Sequence, residues 1–245
     1  MFSFFKKREK IKLPYTTDIH SHMLPGVDHG AANADHALEL IKAQMEMGVN
    51  RFILTPHITK STFENTPETI NAAFGTFMSV ANGWGIDVDF RVSAEYRIDE
   101  FSIAQFEEDR ILPMPKAHIL LENAYQQERL DLERILFDIQ LKNLTPIMAH
   151  PERFSYYAAR KDRYIQLHGA GVLFQVNLLS FAGYFGKTAR HNAEWLLEHN
   201  FIDFLGSDIH NMEHAGVISE YIQSKDFRKI ASRLEGRLLN DSLWD

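Results

Sequence analysis

The chain has 245 residues and a mass of 28.3 kDa, and its 45% hydrophobic and 24% charged residues are typical of a globular protein. Its 26 lysines and arginines against 33 aspartates and glutamates give a formal net charge of −7, which argues against a general nucleic-acid-binding surface. The lack of cysteine excludes disulfides, thiolate metal sites and a cysteine nucleophile, whereas twelve histidines point towards imidazole chemistry.

Short apolar runs alternate along the chain with longer segments of helical periodicity. The runs predict strands at Thr16–His20, Arg51–Thr55, Val88–Ala94, Ala117–Glu122, Thr145–His150, Val172–Asn177 and Ile202–Asp208. Apolar residues spaced three and four apart predict helices at Asn33–Met47, Pro67–Ala81, Gln127–Leu141, Phe154–Leu167 and Lys187–His199. We expect Asn33 to cap the first helix, and Gly48 and Gly171 to follow helix ends.

This alternation indicates an α/β protein with parallel strands and crossover helices. No Pro/Gly/Ser-rich linker or change of composition divides the chain, so we expect one domain at 15–245 after an N-terminal extension at 1–14. The number of strand–helix units favours a closed or nearly closed barrel. An open doubly wound sheet is the alternative, which the lack of a Gly-rich phosphate-binding motif after any strand disfavours.

The first residues combine aromatic and basic side chains that could contact an anionic membrane surface. They are Phe2, Phe4, Phe5, Lys6, Lys7, Arg8 and Lys10. A loosely packed terminus is the favoured interpretation. Because no apolar run has the roughly 18 residues of a transmembrane helix and no secretory signal is evident, we expect a cytoplasmic protein.

Ionisable residues cluster where the predicted strands end. In barrels and open α/β sheets, functional residues gather at the C-terminal ends of strands. The residues at these ends are His20, His22, His57, Glu95, Glu122, His150, Asp208 and His210. Imidazoles with carboxylates and no sulfur suit Mn²⁺, iron, Zn²⁺ or Co²⁺, and the number of ligands exceeds one structural zinc site. The sequence therefore predicts a site for more than one metal ion.

The remaining histidines are not expected to bind metal. His36, His168, His191 and His199 lie on predicted helices, and His214 lies in a predicted loop after the last strand. His118 has the strand parity of Glu122, but a packing role beneath the site is favoured over a ligand role.

Five sequence motifs together resemble those of a known superfamily. They are Asp18-Ile-His-Ser-His22, Leu24-Pro-Gly-Val-Asp-His-Gly30, Thr55-Pro-His57, His150-Pro-Glu-Arg153 and Gly206-Ser-Asp-Ile-His-Asn211. The chain resembles the polymerase and histidinol phosphatase (PHP) superfamily, and within it the bacterial manganese-dependent protein-tyrosine phosphatases of capsule and exopolysaccharide synthesis. The resemblance runs from about Thr16 to Asn211 and implies a distorted (β/α)₇ TIM-like barrel with up to three metal ions, manganese foremost.

The resemblance assigns metal ligation to all the strand-end residues above and adds one more ligand. The subgroup usually has two acidic residues before the glycine, whereas this chain has Asp28-His29, and we take His29 as the ligand with Asp28 as the alternative. Arg153 and Asp208 are the expected catalytic residues, and Arg153 is placed to hold phosphoryl oxygens. Some relatives carry a second arginine after the last motif, but the stretch Met212–Val217 has none.

The expected activity is phosphotyrosine-protein phosphatase, with a metal-bridging hydroxide as the nucleophile. A phenolate leaving group needs less protonation than an alkoxide, and Asp28 and exposed loop histidines are the candidate general acids. The expected substrate is the tyrosine-rich tail of a bacterial tyrosine kinase of polysaccharide export. The alternatives are a small-molecule phosphoesterase such as histidinol phosphatase, and a metal-binding module without catalysis.

Overall fold

The computed structural model describes residues 10–244 and shows an α/β protein in which every strand pair is parallel. One sheet has the order β1-β2-β4 and the other β3-β5-β6-β7-β8-β9. The strands are β1 Thr17–Asp18, β2 Arg51–Leu54, β3 His57–Ile58, β4 Asp89–Val92, β5 Glu95–Arg97, β6 His118–Glu122, β7 Thr145–Ala149, β8 Leu173–Asn177 and β9 Phe204–Gly206.

Helices connect the strands and cover the sheets. They are α1 Ala34–Glu46, α2 Pro67–Ala81, α3 Glu100–Glu107, α4 Leu132–Leu141, α5 Asp162–Gly169, α6 Leu178–Phe181, α7 Gly186–Glu198, α8 Met212–Tyr221, α9 Lys225–Leu234 and α10 Asn240–Trp244. The prediction that Asn33 caps α1 is confirmed, because its side chain accepts a hydrogen bond from the His36 backbone N–H at 2.9 Å.

The parallel α/β class is confirmed, but the closed barrel is not. Two of the predicted strands are each followed, after a break of two residues, by a short strand that was not predicted: Thr55-Pro56 separates β2 from β3, and Ser93-Ala94 separates β4 from β5. Pro56 has no N–H to donate, and only its carbonyl pairs, accepting from the Glu95 N–H at 3.0 Å. The short strands β3 and β5 join the other sheet, and the two sheets do not close into one.

The ends of the two sheets nevertheless approach each other after β1 and β9. The Asp208 N–H donates to the carbonyl of His20 at 2.9 Å, and the His22 N–H donates to the carbonyl of Ile209 at 3.0 Å. These bonds flank an isolated parallel bridge between Ser21 and Ile209. They bring the segments after the first and last strands side by side.

The helix predictions were least accurate in the regions between β6 and β8 and after β9. The predicted helix Gln127–Leu141 begins only at Leu132, and the predicted helix Phe154–Leu167 is replaced by 3-10 turns before α5. Phe154 has an extended backbone with φ −78° and ψ 100°, which interrupts helical geometry at that point. The helices α3, α6, α8, α9 and α10 were not predicted.

The N-terminal segment that the structure describes packs on the α/β unit. Leu13 and Tyr15 are buried, and the Leu13 N–H donates to the Met47 carbonyl at 2.9 Å. The aromatic and basic residues at positions 2–8 lie outside the described residues, and Lys10 forms an exposed ion pair with Glu46 at 3.4 Å. Every helix within residues 10–244 is too short or too polar to span a bilayer.

Asn240 on α10 joins the edges of the two sheets where strand pairing stops. Its Nδ2 donates to the carbonyls of Thr17 on β1 and Leu205 on β9, at 3.0 and 2.7 Å, and its Oδ1 accepts from the Leu205 N–H at 3.1 Å. The side chain is fully buried, so these backbone groups have no access to water when it is removed.

We expect Asn240→Ala to lower the free energy of unfolding by about 2–4 kcal/mol, because it leaves buried backbone groups unpaired. Urea unfolding followed by circular dichroism in the presence of a chelator measures this loss. Ser242→Ala is the matched control, because this exposed serine on the same helix bonds only to the nearby Leu239 carbonyl. Equal stabilities of the two variants would show that Asn240 does not join the sheets.

Candidate metal centre

The structure brings all the strand-end residues together at one end of the sheets. His57 and Glu95 begin the short strands β3 and β5, Glu122 ends β6, and His150 follows β7. The other members follow β1 and β9, and they are His20, His22, Asp208 and His210. Six of these side chains are buried, and those of His57 and His210 are slightly exposed, at 12% and 11%.

Their potential ligand atoms form four overlapping groups of three, each with its atoms within 4.8 Å of one another. The groups are His22/His57/His210, His20/His22/Asp208, His20/Glu95/His150 and His57/Glu95/Glu122. Each of His20, His22, His57 and Glu95 belongs to two groups. The overlap means that the residues line one continuous centre.

Hydrogen bonds orient three of the imidazoles so that each directs Nε2 towards this centre. The Nδ1–H of His20 faces Gln175 Oε1 at 2.6 Å, that of His22 faces Asp28 Oδ2 at 2.8 Å, and that of His210 faces the Asp208 carbonyl at 2.9 Å. A carbonyl or carboxylate oxygen can only accept, so Nδ1 carries a proton and Nε2 is the nitrogen that has a lone pair when the ring is neutral. This is the tautomer that a metal ligand needs.

Several buried atoms in the centre have no hydrogen-bond partner among residues 10–244. They are His57 Nδ1, Glu95 Oε2, Glu122 Oε2, His150 Nδ1 and His210 Nε2. His57 Nδ1 lies 2.9 Å from Glu95 Oε2, and Glu122 Oε2 lies 3.0 Å from Arg97 Nε, but neither pair has the alignment of a hydrogen bond. Buried polar atoms are normally paired, so these unpaired donor atoms fit divalent cations.

The charges in the centre support the same conclusion. Burial opposes protonation of His20, but the carboxylates of Glu95 and Asp208 outweigh it and raise the pKa of His20 to about 9. Burial likewise opposes ionisation of Asp208, yet His20 and His22 hold its pKa well below the usual value. Without metal, the carboxylates rely on imidazolium for compensation, and divalent cations would replace those protons.

Asp28 and His29 occupy different positions at the centre. Besides orienting His22, Asp28 accepts from the backbone N–H groups of Gly30 at 2.8 Å and His57 at 3.1 Å. The His29 ring lies 5.0 Å from that of His57 and 4.4 Å from that of His210, measured between centroids, and it lines the cavity. His29 belongs to none of the four ligand groups, but unlike Asp28 it lines the cavity.

Local backbone geometry at the centre is unusual. His150 and Asp208 have positive φ angles of 33° and 48°, a region that residues other than glycine uncommonly adopt. Gly30 is required for a different reason, because a Cβ there would lie 1.9 Å from the carbonyl oxygen of His22.

A cavity of about 230 Å³ opens onto the centre. Arg153 lines it and donates from Nη1 to Asp208 Oδ2 at 2.9 Å, while its guanidinium carbon lies 3.9 Å from the centre of the Phe185 ring. A second cavity of about 250 Å³ shares Tyr125 and Arg153 with the first. Its other lining residues are Ser155, Phe185, Thr188 and Ala189.

Four residues at the centre were missed by the sequence reasoning. Arg97 and Tyr125 line the metal cavity, Gln175 orients His20, and Asn177 donates to Asp208 Oδ2 at 2.7 Å. Arg97 could have been found, because it lies two residues after Glu95 on one strand and therefore on the same face. Gln175 and Asn177 lie on β8, which places no charged or imidazole side chain at the centre but orients His20 and Asp208.

Of the two other histidines near strand ends, His118 lies away from the metal centre and His214 lies beside it. His118 lies at the start of β6, where Nδ1 is 3.1 Å from the Pro115 carbonyl. His214 was placed in a loop, but it lies on α8 and its Nδ1 is 3.3 Å from the Asp208 carbonyl. Asn211 caps α8 by accepting from the His214 N–H at 3.0 Å, a cap that places His214 beside the centre.

A parallel α/β protein with buried imidazoles and carboxylates at one sheet end has the architecture of a metal-dependent hydrolase. The family model for capsular polysaccharide synthesis, CpsB/CapC, matches residues 16–235. The chain belongs to this CpsB/CapC family, which confirms the subgroup resemblance.

Named relatives agree with this assignment. Tyrosine-protein phosphatase YwqE of Bacillus subtilis is 28% identical over 214 residues, covering 86% of this chain and 84% of the relative. Putative tyrosine-protein phosphatase CapC of Staphylococcus aureus is 24% identical over 228 residues, covering 92% and 89%. Tyrosine-protein phosphatase CpsB of Streptococcus agalactiae serotype V is 27% identical over 215 residues, covering 80% and 83%.

A solved structure is also similar over most of the chain. It comes from work on YwqE of Bacillus subtilis and CpsB of Streptococcus pneumoniae, described as metal-dependent tyrosine phosphatases. The TM-score is 0.74 at 27% identity, and the match covers 91% of this chain and 94% of the other. The family is therefore one whose named members are metal-dependent tyrosine phosphatases.

We expect His20→Ala and Asp208→Ala each to remove at least one equivalent of tightly bound metal, because each deletes a ligand from at least one group. Elemental analysis of protein purified in the presence of Mn²⁺ measures the content. His118→Ala is the matched control, since this half-buried histidine lies outside the centre. Full metal content in both site variants would refute the ligand assignment.

Proposed function

We propose that the protein is a metal-dependent phosphotyrosine-protein phosphatase that acts in the cytoplasm on the tyrosine-rich tail of a kinase of capsule or exopolysaccharide synthesis. The observation that carries this proposal is the buried centre of imidazoles and carboxylates with Arg153 beside it in one cavity. Membership of the CpsB/CapC family and the names of the relatives support it. Because the chain has no cysteine, a thiolate mechanism is excluded.

The proposed ligands are the strand-end residues together with His29, and the overlap of the four groups supports more than one ion. Histidine nitrogen and carboxylate oxygen without sulfur suit Mn²⁺, with iron, Zn²⁺ and Co²⁺ as the other candidates. Divalent ions, when bound, supply Lewis acidity towards the phosphoryl group and lower the pKa of water. The protein holds the ligand atoms in place before any ion arrives, through Gln175, Asp28 and the Asp208 carbonyl.

Arg153 is the residue that we expect to bind the phosphoryl oxygens. Asp208 anchors one edge of its guanidinium, and Phe185 and Tyr125 lie against it at 3.9 and 5.0 Å from their ring centres. Its Nε and Nη2 have no hydrogen-bond acceptor among the described residues. These donors form a planar fork that suits two oxygens of a phosphate group.

The second cavity supports an aryl phosphate as substrate. Tyr125 and Phe185 contribute aromatic surface, and Arg153 lies between this cavity and the metal centre because it lines both. A substrate whose phosphate reached Arg153 from this side would place its phenyl ring against aromatic side chains, where such contacts are favourable. The cavity is therefore our candidate for the tyrosyl group.

The decisive experiment compares hydrolysis of a phosphotyrosine peptide, histidinol phosphate and a generic aryl phosphate by the Mn²⁺-loaded protein. We expect the peptide to be the best substrate, and activity to disappear on chelation and return with Mn²⁺. Preference for histidinol phosphate would favour the small-molecule phosphoesterase. If no substrate is hydrolysed, the remaining interpretation is a metal-binding module without catalysis.

We expect Phe185→Ala to raise the KM for the phosphotyrosine peptide about tenfold, because it removes aromatic surface from the second cavity. Steady-state kinetics with the peptide and with inorganic phosphate as competitor measure the effect. Leu141→Ala, an exposed apolar residue on α4, is the control. An unchanged KM would show that the tyrosyl group binds elsewhere.

A further inference from the structure

We propose that Arg97 is a second phosphate-binding arginine that acts with Arg153 on the same phosphoryl group. The proposal rests on the phosphatase function proposed above and adds a substrate-contacting residue to it. Both arginines line the cavity of about 230 Å³ above the metal centre. Their side chains are similarly exposed, at 22% and 21%, so both retain access to solvent and to a ligand in the cavity.

One side of the Arg97 guanidinium is held by the protein. Its Nε lies 3.0 Å from Glu122 Oε2, and its Nη1 donates to the Asn123 carbonyl at 2.8 Å. Its Nη2 has no hydrogen-bond acceptor among residues 10–244. The contacts fix the plane of the guanidinium and leave a donor for a ligand in the cavity.

Arg153 is held in the same manner on its own side of the cavity. It donates to Asp208, whereas Arg97 pairs with Glu122, and each of these carboxylates belongs to the candidate metal centre. Both guanidinium carbons lie 5.0 Å from the centre of the Tyr125 ring. Tyr125 therefore lies close to both guanidinium groups.

The charge of the substrate explains why one arginine is insufficient. A phosphate monoester carries nearly two negative charges at neutral pH and presents three acceptor oxygens. Each arginine already has one carboxylate partner, Asp208 for Arg153 and Glu122 for Arg97, and the stretch Met212–Val217 after the last motif contains no lysine or arginine. Arg97 adds its positive charge and its free Nη2 donor to the free Nε and Nη2 donors of Arg153, so the two residues together can bind more phosphoryl oxygens than Arg153 alone.

The test compares Arg97→Gln and Arg97→Lys with wild type, using full-length protein loaded with Mn²⁺. We expect Arg97→Gln to keep its metal content but to bind inorganic phosphate about 10–100-fold more weakly, because one charge-assisted interaction is lost. We expect kcat/KM for a phosphotyrosine peptide to fall by a similar factor. Arg97→Lys should recover part of both losses, since it keeps the charge but not the fork.

The control is Arg129→Gln. Arg129 is similarly exposed at 24% and pairs with the carboxylates of Asp131 and Glu100, but it lies outside the metal cavity. We expect this variant to match wild type in phosphate binding, measured by isothermal titration calorimetry, and in metal content, measured by elemental analysis.

Two outcomes would overturn the proposal. If Arg97→Gln binds phosphate as wild type does, Arg97 does not contact the phosphoryl group. If Arg97→Gln loses metal, the residue acts only by positioning Glu122. A different result would overturn the proposed function itself, namely that the wild-type protein hydrolyses no phosphotyrosine peptide. In that case phosphate binding to the metal-loaded variants still decides the role of Arg97.

Discussion

The structure depends on the balance of charge in a buried cluster. Glu95 and Asp208 are buried at the ends of strands, where an uncompensated carboxylate would cost several kcal/mol. Imidazoles supply the compensation in the absence of metal, which is why the pKa of His20 is raised to about 9 while the pKa of Glu95 is held low. Divalent cations, if bound, would compensate the same carboxylates and leave the imidazoles neutral. The surrounding strands place the imidazoles and carboxylates close enough for either protons or metal ions to balance the negative charge.

A layer of neutral and acidic side chains around the cluster determines which ring nitrogen faces inward. Gln175 is itself held, because its Nε2 donates to Asn177 Oδ1 at 2.8 Å and so leaves Oε1 to accept from His20. Asn177 in turn donates to Asp208. The chain of hydrogen bonds through β8 therefore fixes one imidazole and one carboxylate together. Such partners preorganise ligands and raise metal affinity.

Much of the centre could be predicted from the sequence because parallel strands end at one edge of a sheet. The same logic led to a closed barrel, which the structure does not show. The strand periodicity does not reveal that pairing breaks at Pro56 and resumes at His57 in the other sheet. It also missed Tyr125, which lies beyond β6 in a loop whose path depends on packing against Phe154 rather than on periodicity. Arg97, Gln175 and Asn177 lie on strands but were missed for a different reason, because they orient the candidate ligands or line the cavity and so do not stand out as metal-binding residue types.

The cavity favours a leaving group that needs little protonation. Asp28 was a candidate general acid, but His22 and two backbone N–H groups outweigh burial and hold its pKa well below the usual value, so it has no proton to give. Burial, together with the charge of Glu122, raises the pKa of Tyr125, which makes its phenol a poor proton donor. A phenolate leaves with much less assistance than an alkoxide. The acid–base character of the cavity therefore fits a tyrosyl phosphate better than an alkyl phosphate.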